Sequence, residues 1–372
     1  MILIKKIMIV TLLIIAILGI GTYIFLNTER FGKHPSGEHL MRIEQSPNYK
    51  NGSFQNVNET PMLTEGVGYT KVLYEFLFSS KPKEPTRALP SIKTDLKALK
   101  ADENVLVWMG HSTYFMQIDG KKILVDPVLS GNASPLSFTT KAYEGTDIYT
   151  TDDIPEIDFL FISHDHWDHM DYKTLKQLNP KIKKVITGLG NGAHLEHWGF
   201  NPEKIFEGDW YDAFSFEDGF QVHVTPARHF SGRGLTRGKT LWASFVLKTP
   251  NATIYIGGDS GYDTHFKEIG KKFGPFDLAI LENGQYDKKW KYIHMLPGEP
   301  LKAGNDLNTK TILPVHSGKF RLANHDWDEP LTSITEEKNQ KNIRILTPMI
   351  GENVNLKDPL QQFKPWWKSL KD

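Results

Sequence analysis

The alternation of apolar and polar residues divides the chain into unequal parts. Residues 7–26 are twenty positions without a charge, preceded by Lys5 and Lys6. At 1.5 Å per residue such a helix is roughly 30 Å long, about the thickness of a bilayer core. A cleavable signal peptide would have a shorter apolar region and an Ala-x-Ala-like site, and none follows Leu26. Residues 1–27 are therefore predicted to be an uncleaved transmembrane anchor. Lys5, Lys6 and the amino terminus favour a cytoplasmic start, which makes the protein single-pass with an extracytoplasmic body. Glu29, Arg30 and Lys33 sit on the far side of the run.

Residues 28–100, rich in Asn, Pro, Ser and Lys, read as a linker and packing arm with one apolar stretch at 72–78. Pro82, Pro85 and Pro90 stiffen the connection after it. Across residues 101–350 short apolar runs recur at 105–109, 114–118, 122–125, 158–162, 184–187, 220–224, 242–247, 253–256, 276–281 and 311–315. Asp119-Gly120 between the second and third is a hairpin signal. Helical patterns are fewer, at 172–178, 193–198, 264–273 and 300–307. Hairpins followed by strands mixed with helices predict an α/β (α+β) domain of sheets packed together and covered by helices. The tail, 351–372, carries Trp366 and Trp367; they are expected to pack on the body, the alternative being an interfacial membrane contact.

Composition narrows the chemistry. The 44 basic and 44 acidic side chains cancel, and no basic stripe is evident, so no nucleic-acid partner is expected. With no cysteine in 372 residues, disulfides, cysteine-ligand zinc sites, iron–sulfur clusters and a thiol nucleophile are all excluded. A metal, if held, must be held by His and carboxylates.

The densest chemical feature follows the apolar run at 158–162: Ser163-His164-Asp165-His166-Trp167-Asp168-His169. In an extended loop, residues two apart point the same way, so His164, His166 and Asp168 converge. His169, where the chain turns toward a helix, faces a second position. Three imidazoles and carboxylates packed this closely are costly to bury and mutually repulsive if protonated, which favours a metal site over a structural loop. The remaining ligands are sought at other strand ends. His229, Asp259 (flanked by Gly257 and Gly258) and His316 each follow an apolar run, about 60, 30 and 57 residues apart in order.

This order of His-x-His-x-Asp-His, His, Asp and His resembles the metallo-β-lactamase superfamily over residues 100–330. The resemblance implies an αββα sandwich with a binuclear site at one edge: His164, His166 and His229 for one metal, Asp168, His169 and His316 for the other, and Asp259 as the bridge. It implies that Asp126 braces the ligand loop. Asp259 stands where cysteine-ligand lactamases keep Cys, and His166 where the diiron oxidoreductases carry Glu. Further segments resemble the N-acylphosphatidylethanolamine-hydrolysing phospholipase D group and its bacterial relatives. They include Trp108-Met-Gly-His111, His229-Phe-Ser-Gly-Arg233, Gln285-Tyr286 and His294-Met-x-Pro297. Asn283-Gly284 and Val315-His316-Ser317 depart from the group near the expected substrate pocket.

The expectation is thus a membrane-anchored hydrolase with two divalent ions, zinc first and Mn or Fe as alternatives. A metal-activated hydroxide would attack a phosphodiester of a phospholipid-like substrate. Asp168 and His294 are the candidate catalytic residues, with Tyr286 and His111 as weaker candidates for substrate contact; His111 equally suits a place behind the ligands or a turn cap. A lactonase using the same metals, or a surface protein that keeps metal only for stability, are the rival readings. Oligomeric state is not legible.

Overall fold

The structure is a computed structural model and describes residues 2–78, 84–337 and 343–370, so Pro82 lies outside the described residues. The chain opens with α1 (Ile2–Leu26), α2 (Glu38–Glu44), the two-residue strands β1 (Tyr49–Lys50) and β2 (Ser53–Phe54), and α3 (Tyr69–Phe78). The body then forms β3 (Val105–Trp108), β4 (Tyr114–Ile118), β5 (Lys121–Val125), β6 (Ile157–Ile162), α4 (Tyr172–Leu178), β7 (Ile182–Gly188), α5 (Gly192–His197) and β8 (Ile205–Gly208). Its second half forms β9 (Ala213–Ser215), β10 (Gln221–Thr225), β11 (Ser244–Lys248), β12 (Thr253–Ile256), α6 (His265–Phe273), β13 (Leu278–Glu282), α7 (Glu299–Leu307) and β14 (Thr311–Val315). It closes with α8 (Glu329–Glu336), β15 (Arg344–Ile345) and β16 (Asn353–Asn355).

Two seven-stranded sheets result, ordered β16-β3-β4-β5-β6-β7-β8 and β15-β14-β13-β12-β11-β10-β9. Each mixes antiparallel and parallel pairs, the parallel ones running from β5 to β8 and from β12 to β15, joined by helices except for the loop between β5 and β6. The inner faces meet through residues such as Trp108, Met116 and Phe161 on one sheet and Val222, Phe245 and Ile256 on the other. The alternate residues along the same strands, Val107, Phe115 and Leu160 among them, point outward and pack under α4 and α5. On the second sheet Tyr255, Ala279 and Ile312 are covered by α6, α7 and α8. Strands buried on both faces explain why these runs are apolar throughout instead of alternating. The architecture is the expected αββα sandwich.

α1 carries no charge beyond Lys5 and Lys6 and buries none of its side chains, as a helix long and apolar enough to cross a membrane does. The arm that follows is woven into the body: Ile43, Phe54, Leu89 and Leu96 are all buried in its cores. Trp366 and Trp367 are buried as well, their indole N–H groups donating to Pro348 O and Thr332 Oγ1 at 3.1 Å each. β16 pairs antiparallel with β3, so chain beyond residue 350 supplies an edge strand of the first sheet.

Polar contacts fix the arm. His39 on α2 reaches Glu207 Oε2 at 3.2 Å and Glu196 Oε1 at 3.0 Å, and Arg42 donates to Glu207 at 3.3 Å. The hydrogen bond to Glu207 raises the His39 imidazolium to about 9. A raised folded-state value stabilises the fold fully below the ordinary value near 6.5 and loses that contribution as pH climbs through 9. His39 is partly solvated, so the effect is discounted to about 1 kcal/mol. Denaturant midpoints at pH 6 and pH 10 should differ by more in the wild type than in His39→Gln; equal pH slopes in the two proteins would refute the assignment.

Candidate metal centre

The parallel strands β6, β12, β13 and β14 all end at the same edge of the sandwich, and each end carries a polar side chain. Ser163 and His164 follow β6, Asp259 follows β12, Glu282 closes β13 and His316 follows β14. Main-chain crowding sets the spacing. Gly258, at φ 59°, lies so near Ser163 that a Cβ there would stand 2.7 Å from the serine Cβ. Only glycine lets the Asp259 loop approach the histidine loop this closely.

All seven side chains singled out as ligands meet at this edge. His166 Nδ1 stands 2.9 Å from His164 Nε2 and 3.2 Å from His229 Nε2. Asp259 lies between two groups. Its Oδ2 faces His229 Nε2 at 3.7 Å and His164 Nε2 at 3.9 Å, while Oδ1 faces His169 Nε2 at 3.2 Å and His316 Nδ1 at 3.1 Å. Asp168 Oδ2 is 3.4 Å from His169 Nε2 and completes the second group. Ligands around a tetrahedral ion with bonds of about 2.0–2.1 Å are separated by roughly 3.3 Å. The observed separations bracket that value. His169 Nε2 and Asp259 Oδ1 are buried without a hydrogen-bond partner, as donor atoms reserved for an ion would be. Burial also holds His164, His229 and His316 well below the ordinary imidazole value and His166 at about 4. Neutral imidazoles are the metal-binding form. The donor set therefore fits a divalent metal, with the Asp259 carboxylate reaching both groups of side chains.

Around these groups lies a layer of buried polar braces. Asp126, held at φ 42°, accepts from Ser163 N at 2.8 Å and Ser163 Oγ at 2.6 Å, and its Oδ2 meets His169 Nδ1 at 2.8 Å. Asp126 thus ties Ser163 and His169 together. His111 is fully buried with Nε2 2.8 Å from Asp168 Oδ2, so it stands behind the ligands and does not reach substrate space. Tyr286 is corrected likewise: its hydroxyl donates to Glu329 Oε1 at 3.0 Å and its ring packs on His325. Gln285, at φ 56°, commits its side chain to His316 O, Phe320 O and Leu322 N, and Tyr286 beside it reaches Glu329.

His294 does border the cleft, with ring centroids 5.0 Å from His229 and 5.2 Å from His316. Its Nδ1 is 2.7 Å from Glu282 Oε2, a buried carboxyl that the sequence reading missed. The available signal was position: Glu282 closes an apolar strand just as Asp259 and His316 follow theirs. Also missed were Asp165 and Arg233. Asp165 accepts from Gly232 N at 2.6 Å and Thr240 Oγ1 at 3.0 Å, while Arg233 donates to Asp165 O and Met170 O at 2.8 and 2.7 Å. Together they clamp both ends of the loop that carries His166, Asp168 and His169. If Asp126 orients His169, Asp126→Ala should weaken metal retention about 10–100-fold in a chelator competition while leaving circular dichroism unchanged; wild-type retention would count against the brace.

Comparison with known proteins agrees with this geometry. Residues 121–317 match the family model described as the beta-lactamase superfamily domain. An uncharacterized protein of Mycobacterium tuberculosis is 35% identical over 330 residues, covering 87% of this chain and 88% of that protein. An N-acyl-phosphatidylethanolamine-hydrolyzing phospholipase D of Caenorhabditis elegans is 30% identical over 263 residues, covering 66% of this chain and 74% of the relative. A solved metallo hydrolase from Ignicoccus hospitalis superposes with a TM-score of 0.52 at 20% identity, over 68% of this chain and 98% of the other, a likeness of fold alone. The chain belongs to the metallo-β-lactamase superfamily and is one of its metal-dependent hydrolases.

Proposed function

We propose that this hydrolase is a phosphodiesterase of phospholipase D type, anchored to a membrane by α1 and acting on N-acylphosphatidylethanolamine-like lipids through two divalent ions, zinc by preference. The observation that carries this reading is a cavity of about 590 Å³ whose floor includes His166, Asp168, His229, Asp259 and His316. Its walls are apolar and come largely from the arm: Met62, Leu63, Val72, Leu73 and Phe76, facing Trp290 and Ile293. A small sugar-phosphate lactone would leave most of that surface wet, whereas acyl chains would fill it. The opening above the ligands also disfavours a purely structural metal site, which would be closed by protein on all sides.

When bound, two divalent ions would supply a water of lowered pKa and neutralise charge on the phosphoryl oxygens. His164, His166 and His229 would hold one and Asp168, His169 and His316 the other, with Asp259 shared. The chain's own further contribution is proton handling. Burial raises the Glu282 carboxyl, and its 2.7 Å contact with His294 Nδ1 fixes the ring. Nε2 is then the ring nitrogen available to a phosphoryl or leaving oxygen. Phe230 packs 4.5 Å from the His166 ring and screens the ligands from water on that side.

Elemental analysis of purified protein should find about two divalent ions per chain, and chelation should abolish turnover; a metal-free, chelator-insensitive enzyme would end this reading. Asp259→Ala should remove activity altogether. His294→Ala should lower kcat by about 10²-fold with metal content unchanged. A matched panel of phosphodiester lipids and lactones decides the substrate class: turnover of lactones alone would overturn the phosphodiesterase assignment while preserving the metal chemistry.

A further inference from the structure

α3 has two apolar faces. Tyr69, Val72, Leu73 and Phe76 recur at helical spacing and line the cleft. On the outer side Tyr74, Leu77 and Phe78 are 65%, 60% and 68% exposed, the Tyr74 and Phe78 rings lying 5.1 Å apart. The polar edge is held down on the body, where Glu75 pairs with Lys289. Large aromatic and aliphatic side chains fully presented on a ten-residue helix are a contact surface awaiting a partner.

The identity of that partner follows from how α1 joins the body. Three residues past Leu26, Glu29 O already accepts from Trp198 Nε1 at 2.7 Å. Arg30 O accepts from Arg233, and Arg30 Nη1 donates to Pro135 O at 2.7 Å. A tether of three residues spans at most roughly 10 Å. The face of the body around Pro135 and Arg233 is therefore pressed against whatever membrane α1 crosses.

Two loops on that face carry exposed apolar tips. Next to Pro135, Leu136 and Phe138 stand out of a compact turn closed by Thr139 Oγ1 on Ser134 Oγ, and Phe138 is 70% exposed. Next to Arg233, Leu235 is 87% exposed, and a methyl group added at Gly234 would touch the Phe31 ring at 3.7 Å. Both loops run on toward the cleft. Phe138 shares the wall of one surface cavity with Phe76 of α3, and Arg237, which lines the catalytic cleft, lies 5.1 Å over the Phe230 ring. Anchor root, both loops and α3 are thus continuous.

We propose that α3 and the loops at 134–139 and 231–238 form a collar that seats in the headgroup layer of the bilayer crossed by α1, so that the catalytic cleft opens onto lipid. The inference rests on α1 being a membrane span. Tyr74, Leu77, Phe78, Phe138 and Leu235 would enter the interfacial zone, where aromatic and aliphatic side chains are favoured. Arg237 at the rim would meet lipid phosphate, its stem covered by apolar surface. A lipid could then slide between α3 and Arg237 without leaving the bilayer entirely.

The absence of cysteine makes the test direct. Full-length Leu77→Cys, Phe138→Cys and Leu235→Cys, each labelled with an environment-sensitive fluorophore in phosphatidylcholine–phosphatidylglycerol proteoliposomes, report on the collar. Ile15→Cys reports on α1, and Lys310→Cys, at the opposite end of the strand leading to His316, reports on the far side of the body. Quenching by lipid-borne nitroxide should exceed quenching by aqueous iodide severalfold at positions 77, 138, 235 and 15, with the reverse at 310. Lipid quenching at 15 together with iodide quenching at 77, 138 and 235 would overturn the collar and leave the anchor standing. Shielding of 77 and 138 from both quenchers would assign the face to a second protein copy and equally overturn it. Iodide quenching at 15 would remove the span and the collar together.

Discussion

The structure depends on one electrostatic constraint: seven side chains with ligating atoms, six of them buried and His166 half-buried, crowd against each other at the junction of two sheets. In a low-dielectric setting their like partners repel and their unmet donors and acceptors are costly. That cost is contained by placing each group at a strand end, where backbone position is fixed by ladders on both sides. The Asp126 carboxylate is the keystone. With one oxygen on Ser163 N and the other on Ser163 Oγ and His169 Nδ1, it joins the end of β5 to the loop after β6. The parallel pairing of β5 with β6 brings those two ends together, so the sheet register and the ligand geometry are one requirement.

The same logic extends outward. His194 stands 3.4 Å from Asp165 and takes a hydrogen bond from Lys33 N at 3.0 Å. Asn56, in the arm, accepts from His229 N at 3.1 Å and Trp242 Nε1 at 3.0 Å and donates to His229 O at 2.7 Å. Chain that precedes the sandwich therefore holds two of the ligand-bearing segments. Without the arm, the backbone around His229 would lose the side chain that satisfies both its N–H and its C=O.

How much of this was legible in the sequence depended on whether the signal was local. The loop at 163–169 and the strand-end positions of His229, Asp259 and His316 announce themselves because each follows an uninterrupted apolar run. Strands buried on both faces are easy to see for the same reason. Glu282 was passed over because a single carboxylate after an apolar strand is also what a solvated strand terminus looks like; only its 2.7 Å contact with His294, twelve residues away, distinguishes the two. Tyr286 was misplaced because its hydroxyl is taken up by Glu329, 43 residues further along the chain, a pairing that no periodicity encodes. The stretch at 72–78 read as packing material. Its partition into a face on the cleft and a face on solvent depends on contacts with residues more than two hundred positions away, such as Lys289, which pairs with Glu75, and Arg321, which donates to Phe76 O at 2.8 Å.

Chemistry and selectivity are consequently assigned to different parts of the chain. The seven clustered side chains and the Asp126 brace lie between Asp126 and His316, inside the segment shared with the superfamily at large, while His111 and Asn56 support them from before it. The apolar roof lies before it, in residues 62–76, and the apolar helix α1 before that. The coupling between these parts is physical: Arg233 hydrogen-bonds the anchor root through Arg30 O and the ligand loop through Asp165 O and Met170 O, while its guanidinium lies 4.0 Å over the Trp167 ring. Trp167 in turn packs on Phe31 at 5.1 Å. Tilting the body on its anchor would break the hydrogen bonds that shape the loop between His166 and His169. The orientation of the site relative to α1 is therefore stabilised by the same contacts that make the site, and a separate hinge at the root would cost the geometry of the ligands themselves.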